Sequence, residues 1–338
     1  MKKFFYGLTA LLMTCFLSCK GFEIQPKFIS VLGTDEKSFT LLESKQLPDN
    51  SVQLVFSEPV ELKELAANVS GKACVCTVTK EITDGHEVQL ITIADTIEIG
   101  ESYCVSASAQ CGNTSQDFTL QFKGKNTRPA RLALSEYKPE YQYREKAKTQ
   151  SSKNVTTPQF IELVVERSGN VSGMKITSIG PRKDADYSFP VCEVSEGEVI
   201  VVHLNPETFP VGAEDELGKN ISGGETSGRD FFAQWKEKTP ARKSNIVLLE
   251  NEDAVILDYF FYIQKSDYVD GAINWKTMQT VAERLLASPF KEDFTERQNK
   301  ATAISISSSY SYAKSGNDWV KTQDITRGKK NGSITPAK

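Results

Sequence analysis

The chain has 338 residues, with 40 Lys and Arg against 44 Asp and Glu, and a formal net charge of −4. Removing Lys2 and Lys3 with an N-terminal segment would leave 38 basic against 44 acidic residues, a net charge of −6. A nucleic-acid partner requires a clustered basic surface. No such cluster occurs in the sequence, so we predict no nucleic-acid binding. The length suits one large or two ordinary domains, and we predict two.

The N-terminal residues have the pattern of an export signal. Lys2 and Lys3 precede an apolar run over residues 4–17, which is followed by Ser18 and Cys19. A positive start and an apolar run shorter than the ~20 residues that span a bilayer are typical of a cleaved signal peptide. The folded part of the chain is therefore expected outside the cytoplasm.

The tetrapeptide Phe16-Leu17-Ser18-Cys19 resembles the bacterial lipobox, in which a small residue precedes a Cys that accepts lipid. Phe16 stands where Leu is usual in that motif. The resemblance implies removal of residues 1–18 and lipidation of Cys19, so that residues 19–21 form a lipid-anchored N-terminus. An ordinary secretory signal with a chance Cys is the alternative.

These features predict a lipoprotein of the cell envelope. Lys20 follows the lipid acceptor where an Asp would resemble the inner-membrane retention signal, so we expect the outer membrane, with the leaflet left open. Two or three acyl chains anchor a protein permanently, whereas one chain gives reversible binding. No later apolar run approaches spanning length, which makes the lipid on Cys19 the expected membrane contact.

Five further cysteines would remain in the mature chain apart from Cys19. Cys74, Cys76, Cys104 and Cys111 lie close together in the first half, and export favours disulfides among them. Free thiols and a metal site are the alternatives, but the spacing does not match the paired Cys-x-x-Cys of zinc ribbons. Cys192 has no evident partner, and we expect a reduced core residue there.

The first half reads as short alternating strands separated by turn residues. Val52, Leu54 and Phe56 share one face at period two. This segment resembles the bacterial immunoglobulin-like repeats, which implies such a domain over residues 22–125, a spacer or contact role without catalysis, and a linker over residues 126–130. The resemblance rests on Val52, Leu54, Phe56, Ser57, Pro59 and Val60.

The second half remains strand-rich, with one amphipathic helix over residues 275–285. Several segments in order resemble the lamin-tail domain, an immunoglobulin-like sandwich. The resemblance implies a second sandwich over residues 131–338, with residues 209–244 as a long loop insertion and Trp319 as a buried packing residue. The matching segments are residues 134–136, 158–163, 171–176, 253–258, 316–322 and 326–331.

Few residues in the sequence suggest catalysis or metal binding. Glu136 and Glu162 occupy predicted strands and would form a paired-carboxylate site if those strands were neighbours, but a structural role is the alternative. His86 and His203 are far apart in sequence, which favours neither a triad nor a zinc site. Residues 223–228 lack the Gly-Lys-Ser/Thr ending of a phosphate loop. We therefore predict no catalytic residue, no metal and no cofactor.

The predicted fold is mainly β, with two immunoglobulin-like β-sandwich domains in tandem, the second carrying a long loop insertion and one amphipathic helix. The predicted function is that of a non-enzymatic cell-envelope lipoprotein, which binds or organises partners through the sandwich loops. The expected partners are the membrane, through Cys19, and an envelope or host-matrix component. An exported hydrolase with a site in residues 209–244 is the alternative, since lamin-tail domains also occur beside hydrolases.

Overall fold

The computed structural model describes residues 39–83, 86–139, 142–144, 154–157, 159–180, 184–206, 209, 212–218, 226–235, 244–263, 276–288, 290, 310–316, 318–329, 331–332 and 334. The predicted signal peptide, the predicted lipid acceptor Cys19 and residues 22–38 of the first predicted domain lie outside these ranges. The chain divides into two compact units between Thr127 and Arg128. None of the helices in the described ranges has the length and apolar character needed to cross a membrane.

The first unit contains eight strands among its described residues. They are β1 (Leu41–Gln46), β2 (Val52–Phe56), β3 (Glu61–Val69), β4 (Lys72–Cys74), β5 (Cys76–Thr83), β6 (His86–Ile93), β7 (Ser102–Cys111) and β8 (Thr114–Lys123). These strands form two antiparallel four-stranded sheets, in the orders β1-β2-β6-β5 and β4-β3-β7-β8.

The two sheets of the first unit share one apolar core. Val52, Leu54 and Phe56 of β2 are buried, as the period-two pattern predicts. They cluster with Val105 of β7 and Leu120 of β8, which belong to the other sheet. Inward residues from both sheets thus fill one layer, which is the packing of a β-sandwich.

The four cysteines of the first unit are thiols in the structure. Cys74 pairs with Ala67 across β4 and β3, and Cys104 pairs with Asn68 across β7 and β3. Paired residues share a face and successive residues of a strand alternate faces, so Cys74 and Cys104 lie on opposite faces of this sheet. Disulfide geometry excludes such a pair. The prediction of at least one disulfide among Cys74, Cys76, Cys104 and Cys111 stays a prediction, and the register leaves pairings other than Cys74 with Cys104.

The second unit contains fourteen strands and one helix among the described residues. They are β9 (Arg131–Lys138), β10 (Gln142–Arg144), β11 (Asn154–Thr157), β12 (Phe160–Arg167), β13 (Gly169–Asn170), β14 (Lys175–Ile179), β15 (Ala185–Ser188), β16 (Glu193–Val194), β17 (Val199–His203), β18 (Arg229–Phe232), β19 (Ser244–Glu250), β20 (Ile256–Ile263), α1 (Lys276–Ala287), β21 (Ser311–Ser315) and β22 (Asp318–Thr322).

Two sheets of this unit face each other. The large sheet has the order β18-β17-β12-β9-β21-β22 and the small sheet has the order β15-β14-β19-β20. Ile161 and Leu163 of the large sheet share a buried cluster with Val247, Leu249 and Phe260 of the small sheet. The prediction of a mainly β chain with tandem β-sandwich units is confirmed.

The predicted amphipathic helix covers the outer face of the small sheet. Val281 and Leu285 of α1 are buried in a cluster with Ile246 and Leu248 of β19. The spacing of four residues places both helix side chains on one face. Trp275, which we expected on the same face, lies outside the described residues.

Residues 209–244 are more than a loop insertion. Within them β18 pairs in parallel with β17 and becomes an edge strand of the large sheet, with all four of its residues buried. This corrects the loop prediction for the described part of the segment. A strand of four residues, buried on both faces, gives no period-two pattern that sequence reasoning can detect.

Two tryptophans of the second unit differ in burial. Trp235 is buried, and its Nε1–H donates a hydrogen bond to the Asp186 carbonyl at 3.0 Å. Trp319 lies on the edge strand β22 and is half-buried, with its ring centroid 4.3 Å from that of Phe260. Trp319 packs against the core as expected, but the expectation of full burial is wrong because an edge strand has no neighbour on one side.

This difference predicts unequal costs of truncation. Trp235→Ala should lower the free energy of unfolding by about 3–5 kcal/mol, as loss of a buried aromatic does, and Trp319→Ala by roughly half as much. Urea denaturation of the full chain, followed by circular dichroism, measures both. Leu42→Ala, at a side chain 56% exposed, is the control and should change little; a larger loss for Trp319→Ala than for Trp235→Ala would contradict the assignment.

Candidate functional site

Three carboxylates form one row across the outer face of the large sheet. The pairing register places Asp230 of β18 opposite Val201 of β17, Val201 opposite Glu162 of β12, and Glu162 opposite Glu136 of β9. Residues paired across strands project from the same face. All three acidic side chains are completely buried, although carboxylates rarely leave water unless they are paired or hydrogen-bonded.

A C-terminal segment, residues 325–329 and 331, covers this face, and we call it the strap. Ile325 packs against Phe160, Val199 and Val201, the apolar residues beside the carboxylates. The Asn331 side-chain amide donates to the Ser135 carbonyl at 2.9 Å. The strap therefore buries the outer face in the way that α1 buries that of the small sheet.

The backbone of the strap donates hydrogen bonds to both glutamates. The Thr326 N–H donates to Glu136 Oε2 at 3.0 Å, and the Thr326 hydroxyl donates to the same oxygen at 2.5 Å. The Gly328 N–H donates to Glu162 Oε2 at 2.8 Å, and the Ser135 hydroxyl donates to Glu162 Oε1 at 2.8 Å. The two carboxylates thus hold the strap to adjacent strands.

Burial changes the acidity of both groups. Burial is the main cause that raises the pKa of Glu162 to about 7, the charge of Glu136 adds to the rise, and the hydrogen bonds from Ser135 and Gly328 oppose it. Burial also raises the pKa of Glu136, against the opposing effects of Ser311, Thr326 and Lys138. The pair therefore resists carrying two negative charges at neutral pH.

Asp230, in contrast to the two glutamates, favours its ionised form. Burial disfavours its ionisation, but hydrogen bonds with His203 Nε2 at 2.8 Å and from the Thr226 hydroxyl and N–H outweigh burial and lower the Asp230 pKa. The His203 ring also stacks on Phe232, with centroids 4.8 Å apart. His203 and Asp230 are both buried, so this dyad has no open approach for a substrate.

The remaining acidic groups beside β18 hold its backbone in place. Asp215 Oδ1 accepts from the Phe232 N–H at 2.7 Å, and Glu216 Oε2 accepts from the Asp230 N–H at 2.8 Å. Arg229 Nε donates to Glu198 at 2.6 Å. Each of these side chains fixes a strand that otherwise has a neighbour on one edge only.

Cys192 is a buried thiol of the second unit, as expected from its lack of a partner in sequence. Burial raises the pKa of Cys192, although the Arg229 guanidinium, with Nη1 at 3.2 Å from the sulfur, acts in the opposite direction. A raised pKa disfavours the reactive thiolate. The structure thus places Cys192 in the packing around β18.

The first unit has a cavity of about 900 Å³ at one end of its β4-β3-β7-β8 sheet. Asn68, Cys104 and Gln121 form a cross-strand row along it. Amides and hydroxyls dominate the polar lining, and Lys123 is its one charged residue. The lining residues are Gln46, Asn68, Ser70, Gly71, Ser102, Tyr103, Cys104, Gln121, Phe122 and Lys123.

The structure brings together some sequence-predicted residues and separates others. Glu136 and Glu162 are neighbours, but His86 lies in the first unit and His203 in the second. Sequence reasoning missed Asp230 and the strap residues Thr326 and Gly328. The Thr-x-Gly spacing of the strap was visible in the sequence, but nothing local indicated its partners. In the described ranges, no group of three or more His, Cys, Asp or Glu is placed to hold a metal ion.

These features define a class of protein: a mainly β chain with a sandwich unit in its second half, closed over buried carboxylates by its own C-terminal strap. Residues 130–329, more than half of the chain, match the family TP_1001_2nd, described as a protein second domain. The chain belongs to this family.

A relative occurs in Treponema pallidum (strain Nichols), where it carries the name "Uncharacterized protein". It is 32% identical over 170 residues, which cover 48% of this chain and 40% of the relative. The match therefore spans less than half the length of either protein.

The contact between Gly328 of the strap and Thr226, in the turn before β18, predicts the effect of one substitution. Gly328 has a φ of +82°, and a Cβ there would approach the Thr226 hydroxyl to 2.7 Å. Gly328→Ala should therefore lower the free energy of unfolding by about 1–3 kcal/mol. Gly332→Ala, at a position with open space around it, is the matched control, and differential scanning calorimetry of the two variants should show a lower Tm for Gly328→Ala only.

Proposed function

We propose that this chain is a non-enzymatic lipoprotein of the bacterial cell envelope, anchored through Cys19 and acting as a binding or architectural module. The proposal includes an immunoglobulin-like first domain, a lamin-tail-like second domain and a site in the outer membrane. The observation that carries the non-enzymatic part is the use of the buried and half-buried acidic groups. Glu136, Glu162, Asp215, Glu216 and Asp230 all accept hydrogen bonds from the chain's own backbone.

Catalytic acids and bases need access to substrate and a spare hydrogen-bonding position. The acidic row of the large sheet is buried beneath the strap, and the cavity of the first unit contains no carboxylate or histidine among its lining residues. The cavity combines a largely apolar lining with neutral amides and hydroxyls, which suits recognition of a partner more than acid–base chemistry. This cavity supports a role in binding.

The lipid anchor is supported by the order of the first nineteen residues and by the bacterial source of the relative. Cys19→Ser should abolish incorporation of a palmitate analogue, because the Cys19 sulfur is the acyl acceptor. Cys15→Ser, four residues earlier in the apolar run, is the control and should leave labelling unchanged. Label retained on the Cys19→Ser protein would refute the lipoprotein assignment.

The exported hydrolase is the rival function, and its site would lie in residues 209–244. Glu216→Gln removes a carboxylate from that region but preserves its shape. If the Glu216 carboxylate stabilises β18 by accepting the Asp230 N–H, Glu216→Gln should lower the Tm. In that case neither the wild type nor the variant should hydrolyse chromogenic esters, phosphodiesters or glycosides. Hydrolysis by the wild type that Glu216→Gln abolishes at unchanged Tm would favour the hydrolase.

A further inference from the structure

Glu136 and Glu162 occupy an unusual position for two acids. They are directly opposite each other on neighbouring strands and are both completely buried. Like charges at opposed positions of a sheet repel each other, and burial removes the water that would screen them. Two ionised carboxylates here would be costly, whereas a pair that retains one proton avoids the repulsion.

The hydrogen bonds allow Glu162 to hold that proton. Lys138, buried on the same face two residues beyond Glu136, favours ionisation of Glu136. The Ser135 hydroxyl lies 2.8 Å from Glu162 Oε1 and can accept a hydrogen bond as well as donate one. Glu162 Oε2 meanwhile accepts from the Gly328 N–H. A protonated Glu162 therefore keeps its contact with the strap.

The strap forms no strand in the described part of the chain. Ile325 packs on the sheet, Asn331 donates to the Ser135 carbonyl, and the Gly328 carbonyl accepts from the Ser227 hydroxyl. Three further hydrogen bonds of the strap end on Glu136 and Glu162, whose charge changes with pH. Opening the strap would admit water to both glutamates and would uncover Phe160, Val199 and Val201.

We propose that the strap is a pH-dependent latch, closed while the Glu136–Glu162 pair retains one proton and opened when the pair loses it. The inference concerns the second unit alone and stands apart from the proposed anchoring and binding function. Other titratable or charged groups on or beside this face are Lys138 on β9, His203 on β17, Asp230 on β18, and Arg327 and Lys329 of the strap itself.

The direction of the pH dependence follows from the shift in acidity. In the closed state the Glu162 pKa is about 7, above its ordinary value of 4.5. Between pH 4.5 and about 7, the closed state therefore keeps a proton that an open, solvated state has lost. The closed state is favoured at low pH. It loses this advantage progressively as the pH rises to about 7, and the dependence levels off above that.

Hydrogen–deuterium exchange of the full chain between pH 5.5 and 8.5 tests the latch. After correction for intrinsic exchange, opening of a peptide that covers the strap should increase roughly 10–30-fold over this range. A peptide from β17, which exchanges through larger unfolding events, is the internal reference and should rise less. Equal rises in both peptides, or no rise in the strap, would overturn the proposal.

Two variants assign the effect to the pair. Glu162→Gln resembles the protonated side chain and should flatten the pH dependence of the strap, whereas Glu166→Gln, at an exposed carboxylate of the same strand, should leave it unchanged. If Glu162→Gln fails to fold, Glu136→Gln gives a second measurement. It removes the neighbouring charge and should move the midpoint of strap opening to lower pH; an unchanged midpoint would contradict the latch.

Discussion

The second unit depends on burial of both faces of its large sheet. A sheet in a two-layer sandwich normally exposes its outer face to water, and that face is polar. Here the outer face carries Glu136, Glu162 and Asp230 beside Phe160 and Val201, and all five are buried. Each carboxylate requires donors in place of water. The strap and the turn at residues 226–228 supply these donors, so the covering of the sheet and the satisfaction of its acids are one requirement.

The strap and β18 depend on each other. The Ser227 hydroxyl donates to the Gly328 carbonyl at 2.9 Å, and Thr226 donates to Asp230. The turn that precedes β18 therefore connects the His203–Asp230 dyad to the strap and its glutamates. A buried polar network is stabilising only when its members are satisfied together. Loss of one connecting residue should therefore affect the whole outer face, and the positive φ of Gly328 beside Thr226 is why we expect a side chain at this position to be destabilising.

Sequence periodicity predicted those features that depend on local alternation. Val52, Leu54 and Phe56 were placed correctly in a core because their strand is buried on one face only. Glu136 and Glu162 were considered as a possible pair because each lies in a clear strand, but the pairing of those strands and the burial of both side chains were not predicted. The strand β18 was missed because all four of its residues are buried, so that inward and outward residues cannot be told apart by polarity. Thr326 and Gly328 were missed as site residues because their partners lie 190 and 166 residues earlier in the chain. Cysteine spacing does not reveal which face of a sheet a residue occupies, which is why Cys74 and Cys104 remained joint candidates.

The long separation between the glutamates and the strap has a consequence for biosynthesis. Translation proceeds from the N-terminus, so β9 and β12 are made well before residue 328 exists. Until then the outer face of the sheet has apolar and ionised groups without a cover, and non-local contacts of this kind form late in folding. The nascent second unit must therefore remain open until the strap is synthesised, a state in which a chaperone can still engage the apolar outer face.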